Sequence, residues 1–89
     1  MRNATWVSVR ARAVLDRAAL PLPAIVQGHD TGGWNNLTGR TVMVNGQRLS
    51  VCIVDRQILW VWTEEDGTVT IALMEEVSRA NIERGKHSN

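Results

Sequence analysis

Apolar positions between Gly39 and Val77 fall in short alternating runs separated by turn residues. Val42 and Val44, then Leu49, Val51 and Ile53, then Leu59 and Val61, then Val69, Ile71 and Leu73 recur at every second position, the period of a strand. The breaks carry turn chemistry. Asn45-Gly46 is the strongest short hairpin signal, because a two-residue type I′ turn needs positive φ at both positions. Asp66-Gly67, after Glu64-Glu65, is a second. The spacing predicts strands at 40–44, 47–55, 58–64 and 68–74.

The ends of the chain read differently. Val7, Ala11, Val14, Leu15 and Ala18 sit at helical spacing, which predicts a helix over 5–19, capped by Asn3 or Thr5 and ended by Pro21. Residues 6–13 also alternate like a strand, but the alanines favour helix. Pro21-Leu22-Pro23 reads as an extended connector, and 24–27 as a first short strand. Four glycines and two asparagines make 28–39 a polar loop. A short helix is expected over 75–84, with Glu75–Arg79 and Arg79–Glu83 at i, i+4 and Gly85 as its stop, followed by a frayed tail over 85–89.

These elements make one mainly β (α+β) domain spanning residues 1–89, with the β region over 24–74. Four or five short strands with tight turns resemble a small antiparallel SH3-like barrel, a likeness of architecture that no family motif accompanies. A meander with helices on one face is the alternative.

The Asn45-Gly46 turn sets Val44 opposite Gln47, Met43 opposite Arg48 and Val42 opposite Leu49. One face then carries Val42, Val44, Leu49, Val51 and Ile53, the expected core side. Met43, Cys52 and Val54 leave the opposite face largely apolar too, so cover on both faces is expected, from the N-terminal helix or a second copy. A three-residue loop Glu65-Asp66-Gly67 with Gly67 left-handed puts Leu59 and Val61 in the core and Trp60 and Trp62 outside. A two-residue loop at Asp66-Gly67 reverses this and makes both tryptophans core residues.

Composition narrows the function classes. The chain has 89 residues, 44% hydrophobic and 21% charged, with net charge +1. Residues 1–56 hold seven arginines against Asp16, Asp30 and Asp55, a net of +4. Residues 57–89 hold Arg79, Arg84 and Lys86 against six acids, a net of −3. This falls short of the basic footprint of a dedicated nucleic-acid binder. Nine of the ten basic residues are arginine, a bias that suggests a high-GC genome. No apolar run approaches the roughly 18 residues of a membrane span, and no signal-peptide core follows Met1, so a cytoplasmic protein is expected. Cys52, the sole cysteine, excludes an intrachain disulfide and reads as a small buried hydrophobe.

Candidate chemistry is sparse. Asp30-Thr31-Gly32 is similar to the short signature of aspartic proteases, which need two such carboxylates sharing a proton and so would require a dimer here. The apolar residues expected before the aspartate are replaced by Gly28-His29, and a glycine-rich turn explains the triplet. His29 and Asp30 are adjacent, lack a third ligand and make a poor chelate. No serine has a paired base in a motif. The chain is therefore expected to be a non-enzyme with no metal and no small-molecule cofactor.

Trp34 stands in the polar loop either as a binding anchor or as a plug for one end of the barrel. The expected function is a binding module acting on a protein partner or on itself as a homodimer, of the kind a phage or mobile element directs at a host protein. Its face would use Trp34, Trp60, Trp62, Arg40 and Arg48. The alternative is a nucleic-acid-binding barrel using Arg10, Arg17, Arg40, Arg48 and Trp34, with bases stacked on the indole.

Overall fold

The computed structural model describes residues 4–35 and 37–77. The elements run β1 (Thr5–Val7), α1 (Val9–Arg17), α2 (Leu22–Thr31), β2 (Thr38–Val44), β3 (Gln47–Val54), β4 (Gln57–Thr63) and β5 (Val69–Leu73). They form a mixed α+β fold, mostly β. Strand order is β1-β5-β4-β3-β2, antiparallel except that β1 runs parallel to β5. β1 and β2 lie at opposite edges, so the sheet is open and does not close into a barrel.

Three expectations at the N-terminal end are corrected. Residues 5–7 form a strand, and the helix starts only at Val9, where Ser8 caps it by accepting from the Ala11 N–H at 3.1 Å. Residues 24–27 lie inside α2, not in a strand. The polar loop begins at Gly32 rather than Gly28, because α2 continues to Thr31. Pro23 sits in the first turn of α2, where a missing N–H costs nothing, and Gly32 ends the helix with φ 74°. Helical order persists through Gly28 because tertiary packing uses that glycine.

Trp34 provides that packing. Its indole lies against Gly28 of α2 and Gly39 of β2, and a Cβ at either position would fall inside van der Waals contact, at 2.5 Å from Trp34 Cδ2 in the case of Gly39. The ring is 7% exposed and joins the core. The plug reading of Trp34 therefore describes its position, on an open sheet rather than a barrel.

The hairpins follow their turns. Val44 pairs with Gln47 across Asn45 (φ 52°) and Gly46 (φ 80°), a type I′ turn. β3 and β4 join through Asp55 (φ 50°) and Arg56 (φ 63°), a second left-handed pair that lacks glycine and carries no obvious turn signal. At the third turn the Glu64 N–H donates to Thr68 O at 2.7 Å and the Gly67 N–H to Glu64 O at 2.9 Å, with Gly67 at φ 89°. This is the three-residue loop, and it fixes Thr63 opposite Val69 and Val61 opposite Ile71.

Register sorts the sheet into two faces. The row Val7, Ile71, Val61, Ser50, Thr41 and the row Leu73, Leu59, Cys52, Gly39 face the helices. Ala11, Val14, Leu15 and Ile25 pack onto them to make the core. The core side expected for β2 and β3 is thus inverted: Val42, Val44, Leu49, Val51 and Ile53 line the outer face. The inner side of β2 and β3 is made of small residues because the Trp34 indole and the His29 imidazole occupy the space beneath the helices. A final turn, Met74–Val77, opens the C-terminal helix, and the Glu76 carboxylate reaches back to the Leu73 N–H at 3.0 Å in a capping-box arrangement. The rest of the expected 75–84 helix and the 85–89 tail lie outside the described residues.

Gly39→Ala is expected to destabilise the protein by about 1–3 kcal/mol, read as a lower urea midpoint at unchanged slope. In a Trp34→Leu background the same alanine should cost less, since the methyl then has room. An undiminished penalty there would remove the indole as its cause.

Candidate functional site

Two places gather chemistry: a buried polar chain under the helices and the outer face of the sheet. In the first, His29 of α2 is fully buried, with Nδ1 2.7 Å from Ser50 Oγ and Nε2 2.8 Å from Thr63 Oγ1. Ser50 Oγ lies 2.7 Å from Thr41 Oγ1, which accepts from Trp34 Nε1 at 3.0 Å. Trp34 can only donate. Carried on from there, Thr41 donates to Ser50, Ser50 to His29 Nδ1, and His29 Nε2–H to Thr63. That direction uses each proton in these four contacts once, whereas the reverse tautomer leaves the Thr41 hydroxyl proton without a place among them.

Ser50 and His29 are a hydroxyl–imidazole pair that motif reading missed, because it joins positions 21 residues apart across two elements. Ser50 has no exposed surface, so the pair meets no substrate in this conformation. Its work is to hold α2 on β3 and β4. The sequence carried one signal, a serine and a threonine at inward positions between apolar neighbours.

Cys52 lies beside this chain in the core, and burial pushes its thiol up to about 11 from an ordinary value of 9.0. Asp30 is exposed at the end of α2, and Gly32 serves as the helix cap, so Asp30-Thr31-Gly32 is a helix terminus rather than an active-site loop. Among the described residues no three His, Cys, Asp or Glu side chains gather to hold a metal.

The outer face is apolar from edge to edge. One row crosses all five strands: Trp6, Thr70, Trp62, Leu49, Val42. A second runs Ala72, Trp60, Val51, Arg40, and a third holds Ile58 and Ile53. Trp60 and Trp62 are half-buried, while Trp6 is 56% and Ile53 47% exposed. Val77 is buried and, with Val44, Leu49, Trp60, Trp62 and Glu64, lines a cleft of about 230 Å³. Glu64 accepts from Trp62 Nε1 at 2.6 Å and from Thr70 Oγ1 at 3.4 Å. Trp60 Nε1 is buried with no hydrogen-bond partner among the described residues.

The arginines are dispersed. Arg10 pairs with Glu75, and Arg17 meets Asp55 at 3.3 Å. Arg48 donates to the His29 and Asp30 carbonyls, satisfying the C-terminal end of α2. Arg40 alone of the expected set is exposed on the outer face, in one row with Trp60. The structure thus brings Arg40, Trp60 and Trp62 onto one surface and leaves Trp34, Arg48, Arg10 and Arg17 elsewhere.

Comparison with protein-family models, with curated protein sequences and with solved structures finds no match. Among the described residues no helix is long and apolar enough to cross a membrane.

Ser50→Ala removes two hydrogen bonds from a buried cluster and is expected to cost about 1–3 kcal/mol in urea unfolding. A loss below 0.5 kcal/mol, on the order of a neutral surface change, would deny the chain its role. Cys52 supplies a pH dependence. Its folded pKa is raised, so its stabilising contribution is full below pH 9.0 and falls as pH rises through about 11. The loss approaches about 2–3 kcal/mol. Cys52→Ala should flatten that alkaline decline, and an unchanged profile would assign it to other groups.

Proposed function

We propose that this protein is a binding module that acts on a partner protein through the outer face of its sheet. The observation that carries this reading is the continuous apolar outer face, with exposed Trp6, Val42, Val44, Ile53 and Ile58 around half-buried Trp60 and Trp62. An antiparallel sheet with one solvated face ordinarily shows polar residues there. An exposed apolar patch of this kind marks an interaction surface. Tryptophans at its centre suit it, because aromatic anchors dominate interface energies.

The nucleic-acid reading has less support. It needs arginines and an indole on one exposed surface. Arg10, Arg17 and Arg48 are engaged by Glu75, Asp55 and the end of α2, and Trp34 is buried. An aspartic-protease-like dimer finds no support in Asp30, which closes a helix.

The test is co-purification with the tagged full chain and with Ile53→Asp at low salt, after nuclease treatment. The expected outcome is a stoichiometric protein held by the wild type and lost by the variant at unchanged melting temperature. Light scattering on both proteins reads whether that partner is a second copy. Recovery that disappears with nuclease, or equal capture by the variant, would overturn the reading.

A further inference from the structure

The cleft on the outer face differs chemically from the apolar surface around it. Its walls are Trp60, Trp62, Leu49, Val44 and Val77, and its one ionised wall group on the outer side is the Glu64 carboxylate. Glu64 is fixed at the indole edge by the Trp62 N–H and the Thr70 hydroxyl. It starts an acidic run, Glu64-Glu65-Asp66, at the turn that rims the cleft. In Asp66, hydrogen bonds from Thr68 hold the carboxyl below its usual range.

The cations nearby are turned to other tasks or set apart. Arg48 is committed to carbonyls of α2 under the sheet. Arg40 lies two strands from Trp60, across Val51, in the row away from Glu64. The cleft, at about 230 Å³, is smaller than the roughly 300–1,000 Å³ of small-molecule sites, and so suits one side chain better than a metabolite.

Resting on the docking reading above, we infer that the partner inserts an arginine side chain into this cleft. A guanidinium has the required properties together. Its plane stacks on an indole face, its fork meets a carboxylate, and it is weakly hydrated enough to leave water for an apolar slot. Glu64 offers the lone pairs that Trp62 and Thr70 do not use. The peptide carbonyls flanking such an arginine supply the acceptors for which Trp60 Nε1 has no counterpart among the described residues.

The probe is the acetylated, amidated peptide Gly-Leu-Arg-Leu-Gly, titrated calorimetrically into the full chain at low salt. The control is its citrulline counterpart, which keeps the shape and loses the charge. The arginine peptide is expected to bind and the citrulline peptide to bind about tenfold more weakly. Glu64→Gln, which preserves an acceptor for Trp62, should lower arginine-peptide affinity by about tenfold at unchanged melting temperature. Equal binding of both peptides, or no effect of Glu64→Gln, would overturn the inference. So would binding seen only after Arg79, Arg84 and Lys86 are changed to glutamine, which would make the chain's own C-terminal segment the occupant. If the co-purified partner is lost with Ile53→Asp but kept with Glu64→Gln, the docking face stands and the arginine does not.

Discussion

One buried hydrogen-bonded chain sets the geometry of half the molecule. It runs from Trp34 through Thr41, Ser50 and His29 to Thr63, and so ties the α2–β2 loop, β2, β3, α2 and β4 to one another. Polar groups in a core are tolerated only when satisfied, and a satisfied network admits few alternative packings. The chain therefore does what an apolar contact would not. It fixes the rotation of α2 about its axis by demanding that His29 point down between two hydroxyls. Arg48 adds a restraint at the same end by donating to the last carbonyls of α2. The glycines at 28 and 39 belong to this arrangement, since they admit the indole that starts the chain.

The opposite half is built from apolar burial and a parallel pairing. β1 adds to β5 with Val7 opposite Ile71, and α1 then folds back so that Ala11, Val14 and Leu15 cover β5. Ser8 is the hinge of this half. Its hydroxyl caps α1 and donates to Glu76 at 2.7 Å, while its N–H donates to Ile71 O at 3.0 Å. The first helix, the last strand and the turn that follows β5 thus share one residue, which places Val77 over the outer face beside the tryptophans.

With both helices spent on the inner face, the outer face keeps its apolar rows without a layer of helices over them. That division connects the fold to the proposed activity. The same turn geometry that puts Leu59 and Val61 into the core sends Trp60 and Trp62 outward, and the bonds from Trp62 and Thr70 to Glu64 hold a carboxylate at the rim. The polar chain and the docking face are consequences of one register, read from the two sides of the sheet.

What the sequence determined by itself was local. Asn45-Gly46 and Glu65-Asp66-Gly67 dictate their turns through backbone sterics within four or five residues, and with them the register of two hairpins and the outward direction of Trp60 and Trp62. Only the tertiary structure decided which face of β2 and β3 lies inside, because both faces are apolar and the choice depends on where the helices land. Residues 5–7 became a strand through β5, more than 60 positions away, and residues 22–31 became a helix through the packing of Gly28 against Trp34. Ser50 and His29 met for the same reason. A contact between distant positions costs loop-closure entropy that only the assembled core offsets, so no window of the sequence contains it.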